Sequence, residues 1–217
     1  MDWKELHDNS IVVDLHSHPA IKASIFHRDL GSREQKFLAT IFNRGFQPLS
    51  NRASFPMIID GGTDVLLSTV YVPEGGWYHD MSIAKWLLRL APRVRKEIYK
   101  TSYFNAVVNS IKDIESQVDK WNKGSEPKKI AICKNPRDIK KALRNDMLSL
   151  IHSVEGAHSL QTTSAQDYPD DIHPSMHEHA LMVGNLEKLN NMGVAYITLA
   201  HFYPNACVNP VFPWPEY

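Results

Sequence analysis

Asp14-Leu15-His16-Ser17-His18-Pro19 places two imidazoles two residues apart, directly after a short apolar run. In an extended chain residues i and i+2 project to the same side. His16 and His18 can therefore offer nitrogen ligands to one divalent ion, and imidazole suits zinc, iron, nickel and similar borderline metals. An isolated pair of this kind is as readily two surface or capping histidines. Ser153-Val154-Glu155-Gly156-Ala157-His158-Ser159 sets a carboxylate where a second apolar run gives out. A carboxylate at the end of a buried strand is costly unless it meets positive charge, which a metal would supply. The plainer alternative is a Glu exposed at a strand exit. Thr198-Leu199-Ala200-His201 ends a third run, and His201 there can serve as a ligand, an acid–base group or an oxyanion donor. Each group alone has a structural explanation, but polar groups at the same ends of successive strands point to one site.

Four apolar runs would position these groups: residues 11–15, 65–72, 147–154 and 194–200. They are rich in Val, Ile and Leu without strict alternation, as strands buried on both faces are. Helical patterns separate them: 32–44, a long stretch over 81–122 broken near Pro92 or Ser102, a short helix at 136–144 with Pro in its first turn, and 176–192. The last has Met182, Leu186 and Leu189 on one face and Gly193 at its end. Strand and helix alternating at these lengths predict βα units on a parallel sheet, an α/β fold of TIM-barrel type with active groups at the C-terminal mouth of the strands. Residues 43–56 and 161–174 are polar, carry Pro and are long enough to be functional loops. The latter leaves the Glu155 strand and is expected to lie over the mouth.

The bulk numbers narrow the function. The 217 residues fit a single domain, 1–217, and 43% are hydrophobic, enough for a sizeable core. Lys plus Arg and Asp plus Glu both number 24, so no excess cation is present to neutralise phosphates, and a nucleic-acid partner is not expected. The most basic stretch, from Lys128 to Arg144, reads as a solvated helix face. Cys133 and Cys207 form neither a disulfide framework nor a metal motif. No apolar run is long enough to span a membrane and the N-terminus has no export signal, so a cytoplasmic protein without a membrane partner is expected.

Beyond these readings, the chain resembles the renal-type membrane dipeptidases of the amidohydrolase superfamily. The resemblance lies in Val13-Asp14-Leu15-His16-Ser17-His18-Pro19, Gly61-Gly62 with Val70-Tyr71-Val72-Pro73, Val154-Glu155-Gly156-Ala157-His158-Ser159-Leu160, and Leu186 through His201, followed by Asn205 and Asn209. It covers nearly the whole chain in order. It implies that His16 binds one metal, that Glu155 bridges two, and that His201 contacts the substrate or the tetrahedral intermediate, with Tyr71 also toward the substrate. The family usually has His-x-Asp where this chain has His16-Ser17-His18, which is the more general amidohydrolase form. Its two further metal-binding histidines and its catalytic Asp lie on later strands. The expectation is therefore the first four of eight barrel strands, a C-terminally incomplete domain.

The function expected is a zinc-dependent hydrolase of a small amide, most simply a dipeptide, using one or two Zn2+ ions. His16, His18 and Glu155 would be metal ligands, and Glu155 and His201 the catalytic groups. Open strand edges would favour a homodimer. Another amidohydrolase branch, such as a metal-dependent phosphoesterase or nuclease, stays open, as does an inactive truncated barrel that binds metal weakly. His177-Glu178-His179 opens a helix, where i and i+2 face apart, and is expected to be a solvated helix start. His152, an odd number of residues before Glu155, should point away from it toward the helical layer. His158 is expected to support the site or form a turn, and His7, His27, His79 and His173 have no supporting context.

Overall fold

In the computed structural model, residues 2–26, 28–32, 53–81 and 95–210 are described. The expected helix at 32–44 and most of the expected loop at 43–56 lie outside the described residues, as do His27 and Pro92. The elements are α1 (Trp3–Asp8), β1 (Val13–Ser17), α2 (Pro19–Phe26), α3 (Phe55–Asp60), β2 (Val65–Tyr71), α4 (Gly75–Asp80), a π-helical turn (Arg95–Lys100), α5 (Tyr103–Lys123), β3 (Ile130–Ile132), α6 (Pro136–Arg144), β4 (Leu148–Glu155), α7 (Met176–Met192) and β5 (Ile197–Thr198). The strands form one five-stranded sheet in the order β1-β2-β4-β3, with β5 also on β4. The β1–β2, β3–β4 and β4–β5 pairings are parallel. The chain is thus mixed α/β on a parallel sheet, as the alternation of runs and helical patterns predicts. Among the described residues no helix is long and apolar enough to cross a membrane.

The chain divides into two compact units, Met1–Thr69 with Lys112–His152, and Val70–Ile111 with Ser153–Tyr217. In the first, Val13 pairs with Val65 and Ser17 with Ser68. Strand β1 starts two residues later than its apolar run. Val12 is held before it, its N–H on the Asp64 carboxylate at 3.0 Å and its carbonyl accepting from Asp64 and Val65. The strand also runs on to Ser17, past the end of the apolar run, and so includes His16. Contrary to the expectation of burial on both faces, Val13 and Leu15 are exposed.

The stretch from Lys128 to Arg144 is not one helix face: it contains strand β3 and then α6. Strand β3 pairs with β4 through Ile130–Leu148 and Ile132–Leu150. On Ile130 the amide of Asn122 takes the place of a neighbouring strand, accepting its N–H at 2.9 Å and donating to its carbonyl at 2.7 Å. Helix α6 begins at Pro136 behind an Asn135 cap that accepts from Arg137 and Asp138, the side-chain chemistry that satisfies first-turn N–H groups. A core of Val65, Cys133, Ala142 and Ile151 lies beneath it. Among the described residues of the long helical pattern a break falls at Ser102, and α5 then buries Val107, Ile111, Ile114, Val118 and Trp121. Their alternating steps of three and four residues make one apolar stripe.

In the second unit Val154 pairs with Ile197 and Glu155 with Thr198. Two more bonds, Gly156 N–H to Thr198 O and Ala157 N–H to Leu199 O, carry the contact past the strand ends. Helix α7 has a Ser175 cap and ends on Gly193 at φ 91°, the left-handed conformation glycine adopts without penalty. Its buried face is Met182, Asn185 and Leu189, whereas Leu186, expected there, is exposed. Asn185 is accommodated because its amide donates to Leu160 O at 2.9 Å.

Candidate functional site

The first unit supplies the histidine pair. His16 is the penultimate residue of β1 and His18 follows the strand. The ladder to β2 shifts register between Asp14 and Ser17, and the Asp14 carboxylate accepts the His16 N–H at 3.0 Å. The two rings meet edge to face with centroids 4.7 Å apart, and their Nε2 atoms are 3.0 Å apart. A Zn–N contact is about 2.0–2.1 Å, so two nitrogens at this separation can share one such ion.

In the second unit Glu155 closes β4 and is half-buried. The chain turns at Gly156, φ 88°, where a β-carbon would fall 2.2 Å from the His158 ring. This is a position where only glycine gives both the backbone angle and the space. His158 follows on a short 3-10 turn, fully buried, its Nε2–H donating to Val72 O at 2.7 Å. Burial lowers its pKa, against an opposing pull from Glu74. His158 thus ties the turn after β4 to the end of β2, which fits the supporting role expected of it.

His201 lies beyond β5 in the same unit. Its Nε2 is 3.7 Å from Oε2 of Glu155, and its Nδ1 is 2.9 Å from Oε1 of Glu74. Tyr71, the last residue of β2, donates its hydroxyl to Oε2 of Glu74 at 2.5 Å, and its ring is 4.5 Å from that of His201. Burial pushes the Tyr71 hydroxyl well above its usual range, and the Glu74 charge adds to the effect. Burial would also raise Glu74, but hydrogen bonds from His201 first, then the charge of His158 and the bond from Tyr71, outweigh it and hold the carboxyl at about 2. Glu155, His201 and Tyr71 are therefore brought together, through a residue the sequence reading passed over. The signal for Glu74 was present: like Glu155, it is a carboxylate at the exit of an apolar run, followed by glycine.

His152 and the His177–His179 pair lie as the spacing predicts. His177 and His179 are exposed on the first turn of α7. Between them Glu178 accepts from the N–H and hydroxyl of Thr162, at 2.6 and 2.5 Å. His152 is completely buried, its Nε2 3.5 Å from the Glu115 carboxylate on α5. His79 is paired with its neighbour Asp80. The 161–174 segment carries two 3-10 turns, at Ala165–Asp167 and Asp170–Ile172, and buries Gln161, Ser164 and Asp171. No protein-family model matches the chain, and no curated protein matches it significantly.

Proposed function

We propose that the protein is a metal-dependent hydrolase of a small amide, a dipeptide being the simplest substrate, with His16, His18 and Glu155 as ligands to a zinc-like ion. The observation that carries this reading is the 3.0 Å approach of the His16 and His18 Nε2 atoms at the end of β1. Two imidazoles and a carboxylate are a donor set of the kind catalytic zinc sites use, leaving a position open. A divalent ion there would supply Lewis acidity, polarising the scissile carbonyl and making water a better nucleophile.

The chain's own groups do the rest. His201 faces the substrate and contacts it or the tetrahedral intermediate as an acid–base group, and Tyr71 lies beside it. The same reading takes the parallel sheet as part of a (β/α) barrel, whose strand ends carry the active groups, and is in keeping with the resemblance to the renal-type membrane dipeptidases.

The test is elemental analysis of the purified protein together with a dipeptide hydrolysis assay in the presence of zinc. One or two zinc ions per chain are expected, with metal affinity lowered and turnover lost in His16→Ala, His18→Ala and Glu155→Gln. A protein that binds no zinc, or variants that keep full turnover, would overturn the reading.

A further inference from the structure

Glu74 is only 2% exposed, and three hydrogen bonds account for it. Oε1 accepts from His201 Nδ1 at 2.9 Å and from the Phe202 N–H at 3.1 Å, and Oε2 accepts from the Tyr71 hydroxyl at 2.5 Å. Resting on the reading of His201 as the substrate-facing group, we propose that Glu74 is a positioning residue that fixes the His201 ring in the tautomer protonated on Nδ1 and so leaves Nε2 to act on the substrate.

An ionised carboxylate can only accept, so the nitrogen facing it must carry the proton. The second ring nitrogen takes its role from the bond the first one makes. With Nδ1 committed, Nε2 is the working atom. It faces Glu155 at 3.7 Å, too far for a hydrogen bond between them, so Glu155 does not tie it up. The Phe202 ring, its centroid 4.0 Å from that of His201, and the Tyr71 ring on the same imidazole restrict its rotation. The Tyr71 hydroxyl fixes the other carboxylate oxygen, so Tyr71 acts on His201 through Glu74 as well as by contact. A glutamine at position 74 could turn its NH2 toward Nδ1 and select the opposite tautomer.

The experiment is 15N NMR of the imidazoles in metal-free protein at mildly alkaline pH, with the His201 signals assigned by their loss in His201→Asn. Wild type should show a protonated Nδ1. Glu74→Gln should shift His201 toward the form protonated on Nε2 alone. It should also lower kcat for amide hydrolysis about 10- to 100-fold with KM changed much less, and Glu74→Asp should restore the tautomer and part of kcat. A purely structural Glu74 would change stability and leave the tautomer and the split between kcat and KM unmoved. An unprotonated Nδ1 in wild type would end the proposal even if the variants fail to fold. A wild type with the expected tautomer and no amide hydrolysis would count against the hydrolase reading alone.

Discussion

The ring of Tyr203 rests against Gly76 so closely that a β-carbon on the glycine would fall 2.1 Å from its Cδ1 atom. Next to it, a β-carbon on Gly75 would fall 2.3 Å from the Tyr168 β-carbon. The segment after β2, which presents Glu74, is thereby packed on the segment after β5, which presents His201. Gly76→Ala should therefore cost about 1–3 kcal/mol, the range for overpacking a filled interior, and disturb the Glu74–His201 bond. Gly184→Ala is the control: nothing lies within 4 Å of its would-be β-carbon in the middle of α7, and alanine there should stabilise by about 0.5–1 kcal/mol. Thermal unfolding of both variants checks the pair. Equal effects of the same sign would show that Gly76 is not tightly enclosed.

Glu74 also predicts how the protein responds to acid. Its carboxyl is held at about 2 against an ordinary 4.5, burial being outweighed by the donors led by His201. A depressed carboxylate pKa gives stability that is complete above the unfolded value and is lost as pH falls through the folded one. The loss should run from about pH 4.5 down to about 2 and amount to something on the order of 3 kcal/mol. Glu74→Gln should flatten that part of the curve and be less stable than wild type at neutral pH. Denaturant titrations at several acid pH values measure it, and parallel curves for the two proteins would refute it.

Asp171 has the opposite sign. Burial, with Asp167 adding to it, pushes its carboxyl up to about 6 from 3.8, although the Tyr103 hydroxyl favours the charged form. Stability from this group is complete below about 3.8 and is lost as pH rises through about 6. Asp171→Asn should remove that dependence and gain on the order of 2 kcal/mol at about pH 8, with little change at about pH 4. Two carboxylates of one unit thus favour a stability maximum in mildly acidic solution. No gain from Asp171→Asn at alkaline pH would remove Asp171 from this account.

Much of this could be read from residue order, and the misses have local causes. The cores of β2 and β4 stand out because each is a long apolar run, and the parity argument from Glu155 sends His152 toward the helical layer, where Glu115 on α5 meets it. Strand β3 is only Ile130–Ile132, too short to show a period, and it exists because β4 and the Asn122 amide supply partners from elsewhere in the chain. The last run shrinks to Ile197–Thr198 because β4 ends at Glu155 and pairs only through Val154 and Glu155. Leu186 is exposed because apolar type alone does not decide the buried face of α7. Asn185 is buried there instead, its polarity satisfied by a carbonyl. Glu74 carries the same local signal as Glu155, but its role comes from Tyr71, His201 and Phe202 meeting on it, a convergence that no local pattern encodes.

The metal itself should be visible in stability without any assay of turnover. A ligand that binds only the folded state adds RT ln(1 + [L]/Kd), about 2.7 kcal/mol at a hundredfold excess over Kd. His16 and His18 lie on one short stretch at the end of β1, with their Nε2 atoms already 3.0 Å apart, so little reorganisation is needed to present both. Zinc should therefore raise the unfolding midpoint of the wild-type protein, and a chelator should reverse the gain. His18→Ala leaves His16 without its partner nitrogen and should lose most of the zinc-induced shift while unfolding near the metal-free wild type. Glu155→Gln should lose part of it, since an amide oxygen carries no charge to offset the ion. If zinc shifts wild type and His18→Ala equally, the ion is held by other residues, and the histidine pair at the end of β1 is two side chains in contact rather than a ligand set.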